Sequence, residues 1–463
     1  MVTPMCAQNR PGVFFTSSLR GKNTPGLFLL ALLLMTGCAK SARQAAAPLV
    51  IWHWMTDRDP AFQELARRYH AQTGRAVRFE LYAPSELYAQ KIRAAAQTDT
   101  LPHIFGVLGE TRDLASFVKS GYVADLTEPM EAREGAWRGR FFQKALDNGR
   151  FAQGNAHGVA SGIYGVPLDV TNIQLIINKK LWAQAGLDPN QPPKTWQELL
   201  DAGRQLRQAR VPGFVSGWGE TWLIDCFASN YAWNILGREK ILQTIAGEVP
   251  YTDPDWVKVL GLFRQLRESG LLVDGVVSMV NKRAEQLFAN GQAAITFNGS
   301  WGVNVYHGMN PSLEYVVVTP PPYSDRYPIT IWGGAGSSFY VNAHSPRRAE
   351  AIAFLQWLTD EPQEVYLVEA TRNLPSNQGV LRQIPPALAQ FADDMDKTIH
   401  PSQLPAQEFS QVVEAFDKGI QSILIGEKTP EQVARDVQQV KERELRRRAA
   451  SPASSTMPAE RPS

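Results

Sequence analysis

The stretch that most constrains the fold lies between residues 49 and 121, where short apolar runs alternate with helical patterns. Leu49-Val50-Ile51-Trp52-His53-Trp54 predicts a buried strand, and residues 77–81 and 103–108 predict two more. Apolar side chains at helical spacing separate these strands, and the first helix begins at Asp59-Pro60. This alternation is typical of a mostly parallel sheet that helices cover on both faces, so the sequence predicts an α/β fold.

The length and charge of the chain limit its architecture and its partners. A chain of 463 residues is too long for one compact core and suits two lobes with tails. The net charge is only +2, and no basic surface that would follow a phosphate backbone is indicated, so a nucleic-acid partner is not expected. The chain has 12 tryptophans, and we expect about half of them to be core residues. Exposed indoles would suit recognition of rings and of sugar faces.

The N-terminal region has the pattern of an export signal. Positive charge at Arg20 and Lys22 precedes an apolar run at residues 26–35, which ends in Thr36-Gly37-Cys38. A run of about 10 residues is too short to span a bilayer but suits a secretory signal. The segment 34–38 resembles a bacterial lipobox, in which the cysteine takes up a diacylglyceryl group; an uncleaved anchor or a chance apolar segment is the alternative.

These observations divide the N-terminal region and limit the use of its cysteines. We expect a signal peptide at residues 1–38, lipidation of Cys38 and a flexible tether at residues 39–48. Cys6 also lies in the leader, which leaves Cys226 alone in the mature chain. A disulfide framework or a metal site cannot be built from one cysteine, and neither a metal nor another cofactor is expected.

The same patterns continue along the mature chain without an internal repeat. They predict strands at residues 173–177, 293–297, 315–318 and 338–341, and helices at residues 196–209, 255–268, 282–288, 346–358, 362–370, 409–425 and 430–442. Thr195 is the expected N-cap of the helix at 196–209. Residues 443–463 are expected to form a disordered tail.

Several segments in a fixed order resemble one protein family. They include Gly165-Val166-Pro167-Leu168, the run Pro193-Lys194-Thr195-Trp196 with its flanking segments 175–189 and 197–199, the stretch 288–301 that ends in Asn298-Gly299-Ser300-Trp301, the stretch 333–359, and Leu374-Pro375-Ser376. Together they resemble the extracellular solute-binding proteins of family 1, the maltose-binding-like receptors of ABC importers. The resemblance covers residues 49–442.

The resemblance implies a two-lobed periplasmic-binding-protein fold of type II, with a hinge that the chain crosses three times. The crossings are expected near residues 168–172, 331–336 and 396–403. One lobe would hold residues 49–168 and 337–395, and the other would hold residues 171–331 and 403–442. Independently of the family, the glycines of the second crossing suit a hinge because glycine tolerates unusual backbone angles.

Candidate ligand-binding residues follow from the rule that ligands lie beyond the carboxyl ends of strands in open α/β sheets. The candidates at strand ends and crossings are His53, Trp54, Glu110, Asp169, Thr171, Asn298, Trp301, Trp332 and Gly333. By the resemblance, the segment 216–222 with Trp218 and Trp222 lies where relatives place cleft residues, and Arg372 is a further candidate. Structural alternatives stay open: Trp54 and Trp222 could be core residues, His53 a structural hydrogen-bonder, and Glu110, Asp169 and Arg372 surface groups.

The predicted function is that of a carbohydrate-binding lipoprotein of an ABC import system. It would be an exported monomer, held to a bacterial membrane by the lipid on Cys38, and would deliver its ligand to the transmembrane subunits of a permease. The excess of tryptophan over clustered carboxylates favours a sugar. The alternatives are a receptor of the same fold for glycerol phosphate, another phosphorylated polyol, a metal chelate or a polyamine, and a secreted glycosidase. The serine-elbow, zinc-helix and phosphate-loop motifs of enzymes were not found.

Overall fold

Five strands form the first sheet, in the order β2-β1-β3-β12-β6. They are β1 (Leu49–His53), β2 (Val77–Leu81), β3 (Ile104–Gly106), β6 (Gly165–Pro167) and β12 (Ser338–Val341). β1 pairs in parallel with both β2 and β3, and Ile51 lies opposite Phe79 and Ile104. β12 runs antiparallel between β3 and β6, so it returns the chain to the first sheet from a distant part of the sequence. The predicted mixed α/β architecture is confirmed.

The second sheet has the order β14-β11-β7-β9-β8, and two further strands pair with β7. Its strands are β7 (Asp169–Asn178), β8 (Phe214–Val215), β9 (Ile295–Gly299), β10 (Tyr315–Val318), β11 (Ile331–Ala335), β13 (Leu374–Pro375) and β14 (Thr398–Ile399), and a separate short ribbon joins β4 (Arg150–Phe151) to β5 (Gly162–Ile163). β7 is antiparallel to β9, with Leu175 opposite Phe297, and β8 is parallel to β9. We call the parts built on the first and second sheets the first and second lobes.

The structure is a computed structural model that describes residues 47–83, 85–108, 111–155, 157–400, 404 and 406–450. Within them the α-helices are α1 (Asp59–Thr73), α2 (Ser85–Gln97), α3 (Thr111–Lys119), α4 (Thr127–Gly135), α5 (Gln143–Leu146), α6 (Lys179–Gln184), α7 (Trp196–Gln208), α8 (Thr221–Ala246), α9 (Pro254–Ser269), α10 (Asn281–Ala289), α11 (Gly302–Met309), α12 (Arg348–Leu358), α13 (Glu361–Thr371), α14 (Pro386–Asp393), α15 (Ser410–Leu424) and α16 (Pro430–Ala450). None of the described helices is both long and apolar enough to cross a membrane.

Local sequence signals account for many helix ends. A proline occupies the first turn of α1, and Gly74 ends that helix with a left-handed φ of 70°. Thr195 caps α7 as predicted, because its side chain accepts the N–H of Glu198 at 3.2 Å. Asp253 caps α9 directly before Pro254. These caps explain why the predicted boundaries of α7 and α9 agree with the structure to within one residue.

Each sheet has its own apolar core. The core of the first lobe packs β1 to β3 against α1 and α12, with Phe62 and Phe339 among its fully buried side chains. The core of the second lobe packs β7 and β9 against α7, α8, α9 and α15, and includes Phe227 and Phe263. The two sheets are therefore packed by different sets of apolar side chains.

Two sequence predictions on architecture need correction, and one long helix is not predicted at all. α16 continues to Ala450, so residues 443–450, predicted as part of a disordered tail, are helical, and the remainder of that tail lies outside the described residues. Residues 337–395 are predicted to lie in the lobe of the first sheet, but within them β13 pairs with β7, and Phe391 of α14 packs in a cluster with Ile176. The long helix α8 carries buried, mostly apolar residues on nearly all of its sides. Its sequence therefore lacks the alternation of apolar and polar residues by which an amphipathic helix is predicted.

Candidate functional site

The carboxyl ends of the parallel strands define one edge on each sheet. In the first lobe β1, β2 and β3 end together, and Trp54, Tyr82 and Val107 follow them. In the second lobe β8 and β9 end together, and the segments leading to Trp222 and Trp301 follow them. β7 begins at Asp169, which bonds to the turn before β12, and pairs with β11 and β13 of the second sheet.

His53, a predicted ligand-binding residue, is instead part of the first core. Its ring is fully buried and packs edge-on against Phe62 and Phe79. Nε2 lies 3.1 Å from Oδ1 of Asp59. Burial lowers the pKa of His53, and the charge of Asp59 opposes that shift. Strand β1 turns this side chain into the core, so it has no exposed surface in this structure.

Asp169, another predicted site residue, forms an internal ion pair. Its side chain is buried, one oxygen is bound by the guanidinium of Arg58, and the other accepts the backbone N–H of Ser337. Burial raises the pKa of Asp169, and the charge of Arg58 opposes that shift. These contacts join α1, β7 and the turn before β12, so the carboxylate ties the first and second crossings to the first lobe instead of facing a ligand.

A second buried acid lies next to this ion pair. Glu364 of α13 accepts a hydrogen bond from Oγ of Ser376 at 2.9 Å. Burial raises the pKa of Glu364 to about 8, and the negative charge of Asp169 adds to the shift. Glu364, Arg58 and Asp169 all line a cavity of about 20 Å³, which is room for one water molecule.

Trp54 and Thr171 lie at the edges but are only half-buried. The Trp54 ring covers the bare Cα of Gly106 at the end of β3 and packs on Tyr88, with ring centroids 5.3 Å apart. The hydroxyl of Thr171 lies 3.1 Å from Oγ of Ser300. Both side chains keep part of their surface exposed, so they stay candidate ligand contacts.

Trp222 and Trp301 form an aromatic pair at the edge of the second sheet. Trp222, in the first turn of α8, is 42% exposed, which is unusual for a tryptophan of a folded protein. Trp301 follows β9 and is half-buried, and the two ring centroids are 6.0 Å apart at an angle of 46°. The Trp301 ring lies against the bare Cα of Gly299, where a Cβ would collide with it. The structure thus brings together two predicted residues that are 79 positions apart.

Trp218 and Asn298, predicted with this pair, point away from the edge. Trp218 is fully buried in the second core between Phe214, Phe227 and Phe263, so its ring is not exposed at the edge where it was predicted to contact a ligand. Asn298 is 1% exposed. Its side-chain amide donates to neighbouring protein groups and is not available on the surface.

Trp332 and Gly333 lie in β11 at the second crossing. Trp332 is half-buried and packs against His400 with ring centroids 4.7 Å apart, and burial lowers the pKa of His400 to about 4. The indole nitrogen of Trp332 is buried and has no hydrogen-bond partner among the described residues. Gly333 is buried opposite Asn172 in the ladder with β7, where a Cβ would touch the backbone of Thr171, so it serves the pairing of the crossing strands.

The remaining predicted residues are at the periphery or outside the described part. Arg372 ends α13 with a left-handed φ of 48° and is half-buried, and its charge acts on the phenol of Tyr315. Glu110 and Cys38, with the leader and most of the tether, lie outside the described residues. The structure therefore leaves Trp54, Thr171, Trp222, Trp301, Trp332 and Arg372 as candidates with some exposed surface.

Sequence reasoning missed Glu285, which lies directly below the aromatic pair. This carboxylate is 2% exposed, and its Oε1 accepts the indole N–H of Trp301 at 3.2 Å. A signal was present, since a charge between Ala284 and Phe288 falls on the apolar face of the predicted helix at 282–288. A charged residue on such a face requires partners inside the fold.

Comparison with known sequences supports one family. The model of a family described as bacterial extracellular solute-binding protein matches residues 64–396. The sn-glycerol-3-phosphate-binding periplasmic protein UgpB of Salmonella typhimurium is 33% identical over 137 residues, which is 28% of this chain and 29% of that protein. The UgpB of Shigella flexneri is 26% identical over 292 residues, 58% of this chain and 63% of that protein. The chain thus matches less than two thirds of the length of these relatives.

Comparison with solved structures supports the fold. A chitin oligosaccharide binding protein superposes with a TM-score of 0.71 at 20% identity, covering 86% of this chain and 98% of that chain. A maltose-bound MalE3 of T. maritima gives 0.68 at 18% identity, covering 86% and 100%. An ABC transporter solute-binding protein of Thermotoga lettingae bound with α-D-tagatose gives 0.69 at 20% identity, covering 86% and 99%. With the match over residues 64–396, these likenesses show that the chain belongs to the bacterial extracellular solute-binding proteins and has their two-lobed, maltose-binding-like α/β fold.

Proposed function

We propose that this protein captures a carbohydrate between its two lobes and delivers it unchanged to the transmembrane subunits of an ABC importer. The observation that carries the proposal is the exposed aromatic pair of Trp222 and Trp301 at the edge of the second sheet. A folded protein gains by burying a tryptophan, so a ring that is 42% exposed at a strand-end edge suggests a surface kept for a ligand.

The chemistry around the pair favours an uncharged ligand with apolar faces. An indole stacks on the apolar face of a pyranose, and neighbouring hydroxyl and amide groups can bond its hydroxyls. The charged groups bonded to this region are Glu220, Glu285 and Lys282. Lys282 is the one cation among these three groups, and its charge is paired with Glu285.

Binding without catalysis fits the state of the carboxylates at the two edges. Asp169 is bound by Arg58, and Glu285 accepts several N–H groups. A glycosidase requires one protonated acid and one free carboxylate on opposite sides of the scissile bond. Transport instead requires only that the closed form bind the ligand better than the open form.

We further propose that the mature protein is an exported monomer attached to a bacterial membrane. Support comes from the apolar run at residues 26–35, from the lipobox-like segment that ends in Cys38, and from the small polar residues of the tether after it. A tether of this kind leaves the two lobes free to close and to dock on a permease.

The second candidate ligand is glycerol 3-phosphate, because it is the named ligand of the UgpB proteins to which part of the chain is similar. Such a ligand would require a cation or free backbone amides for its phosphate. Arg372, which is half-buried and follows α13, is the candidate cation.

A thermal-shift panel with the purified mature protein decides between these ligands. The panel contains mono- and oligosaccharides, polyols, glycerol 3-phosphate and polyamines. A sugar present at a hundredfold excess over its dissociation constant is expected to stabilise the protein by about 2.7 kcal/mol. Stabilisation by glycerol 3-phosphate alone, or by polyamines alone, would contradict the carbohydrate proposal.

The recovered ligand tests the second part of the proposal. After incubation with the protein at 37 °C, the stabilising sugar should be found unchanged by mass spectrometry. Appearance of a hydrolysis product that is absent from a buffer control would show that the protein is an enzyme.

A further inference from the structure

The carboxylate of Glu285 is enclosed by hydrogen-bond donors. It lies on α10 between the buried side chains of Ala284 and Phe288. Its Oε1 accepts N–H groups from Asn281 at 3.1 Å, Asn298 at 3.2 Å and Trp301 at 3.2 Å, and Nζ of Lys282 lies 3.2 Å from Oε2. All four neighbours donate an N–H. An ionised carboxylate only accepts hydrogen bonds, so Glu285 suits these surroundings.

These bonds hold the rim of the second lobe together around Trp301. Asn298 belongs to β9, Trp301 follows β9, and Glu285 belongs to α10, so one carboxylate joins a strand end to a helix. The second N–H of the Asn298 amide donates to the phenol oxygen of Tyr306 at 2.8 Å. Side chains that are fixed in this way lose their rotational freedom before any ligand arrives.

The ring of Trp301 is constrained from two directions. One face lies on the bare Cα of Gly299, and the indole N–H is bound by Glu285. A tryptophan that is half-exposed would otherwise rotate between rotamers, since few contacts oppose that motion. The ring is therefore held at the angle at which it pairs with Trp222.

We propose that Glu285 is a positioning residue for ligand binding, because it orients the Trp301 indole through its Nε1–H and so presets the aromatic surface beside Trp222. This inference rests on the proposed function, since it assumes that this pair contacts the ligand. The carboxylate itself is buried and does not touch the ligand. It affects affinity because it fixes the orientation of the Trp301 ring and limits the rotation of that side chain.

Two substitutions at Glu285 distinguish the effect of its hydrogen-bond acceptor from the effect of its negative charge. Glu285→Gln keeps an oxygen that can accept the indole N–H, whereas Glu285→Ala leaves three N–H groups without an acceptor. Glu408→Gln is the matched control, because Glu408 is also a buried carboxylate of the second lobe, with a side chain 9% exposed and paired with Lys441, but it has no contact with the aromatic pair.

The first readout does not depend on a ligand. In protein labelled with ¹⁵N at the indole nitrogens, the Trp301 signal is identified as the one lost in Trp301→Phe, and its hydrogen-exchange rate is measured. We expect protection in the wild type, in Glu285→Gln and in Glu408→Gln, and at least tenfold faster exchange in Glu285→Ala. An unchanged exchange rate in Glu285→Ala would overturn the proposal.

The second readout is affinity for the sugar that stabilises the wild type most. Glu285→Ala is expected to weaken binding about tenfold and Glu285→Gln by no more than about threefold. Glu408→Gln is expected to lower thermal stability without changing affinity. An equal loss of affinity in Glu408→Gln would mean that stability alone is responsible and would overturn the proposal. If the wild type bound no sugar, the proposed function would fail, while the exchange measurement would still decide what Glu285 does.

Discussion

The two edges that face the crossing strands are built in opposite ways. At the edge of the first lobe, the polar residues form two pairs within the protein, His53 with Asp59 and Arg58 with Asp169. At the edge of the second lobe, polar Glu285 is buried and the aromatic rings of Trp222 and Trp301 are on the surface. At the first edge, the ion pair of Arg58 and Asp169 holds the crossing strands to the first lobe. At the second edge, the buried carboxylate of Glu285 binds the indole N–H of Trp301, whose ring is partly exposed.

This difference shows that a residue's position at a strand end does not determine whether its side chain is exposed to a ligand or buried. The rule that ligands lie beyond strand ends selected residues at both edges. Burial then separated them, since Asp169 is 4% exposed and Trp222 is 42% exposed. Four substitutions, at Asp169, Trp301, Trp222 and Glu364, test whether the first edge is structural and the second binds the ligand.

The largest effect is expected from Asp169→Ala. Removing one partner of a buried ion pair leaves the Arg58 guanidinium uncompensated, which should lower the free energy of unfolding by about 3–5 kcal/mol. Urea denaturation of the mature protein measures this loss. The double variant Arg58→Met with Asp169→Leu is the control and should recover part of the stability. If Asp169→Ala instead kept its stability and lost affinity for the ligand, the first edge would be a binding surface and the comparison would fail.

The next largest effect is expected from the aromatic pair. Trp301→Ala and Trp222→Ala should each weaken ligand binding by about 2 kcal/mol, or roughly thirtyfold, which is typical of an aromatic residue at the centre of a contact surface. Titration calorimetry with the stabilising ligand measures the change. Trp357→Ala is the matched control, because Trp357 is a half-buried tryptophan of the first lobe that packs on Tyr69. Unchanged affinity in both variants would remove the second edge as the binding surface.

The smallest effect is a pH dependence that belongs to the first lobe. The pKa of Glu364 rises from 4.5 to about 8 in the folded protein, so the folded state keeps a proton that the unfolded chain releases. Its contribution to stability is therefore complete below pH 4.5, falls as the pH rises to about 8 and is level above that.

Glu364→Gln should remove this dependence. Unfolding free energies at pH 5 and pH 8 are expected to differ by at least about 1 kcal/mol less in the variant than in the wild type. Asp169 and Arg58 remain in place as the charged neighbours of this group in both proteins. An equal pH dependence in the two proteins would show that Glu364 is ionised in the folded state across this range.

Much of the fold could be predicted from local patterns. β2, β10 and β12 have the predicted bounds, and α7 begins at its predicted cap. These elements have one apolar face or a clear end signal, so periodicity or capping reveals them. α8 could not be found in this way, because a helix that is buried on nearly all sides has no periodic pattern.

The candidate site could be predicted only in part. Trp218 and Trp222 belong to one segment and were predicted together, yet the first is fully buried and the second is 42% exposed. They differ because Trp218 precedes α8 and packs inward on Phe263, while Trp222 starts the helix on the outer side. Neither composition nor spacing contains that distinction.

By itself the sequence determined the alternation of strands and helices, the family and the two strand-end edges, because these depend on neighbours along the chain. Only the tertiary structure decided which of the selected residues are exposed, that Asp169 is bound by Arg58, and that Glu285 lies beneath Trp301. The physical reason is that burial and hydrogen bonding depend on partners from distant elements. In this protein those partners are 111 residues apart for Arg58 and Asp169, and 16 residues apart for Glu285 and Trp301.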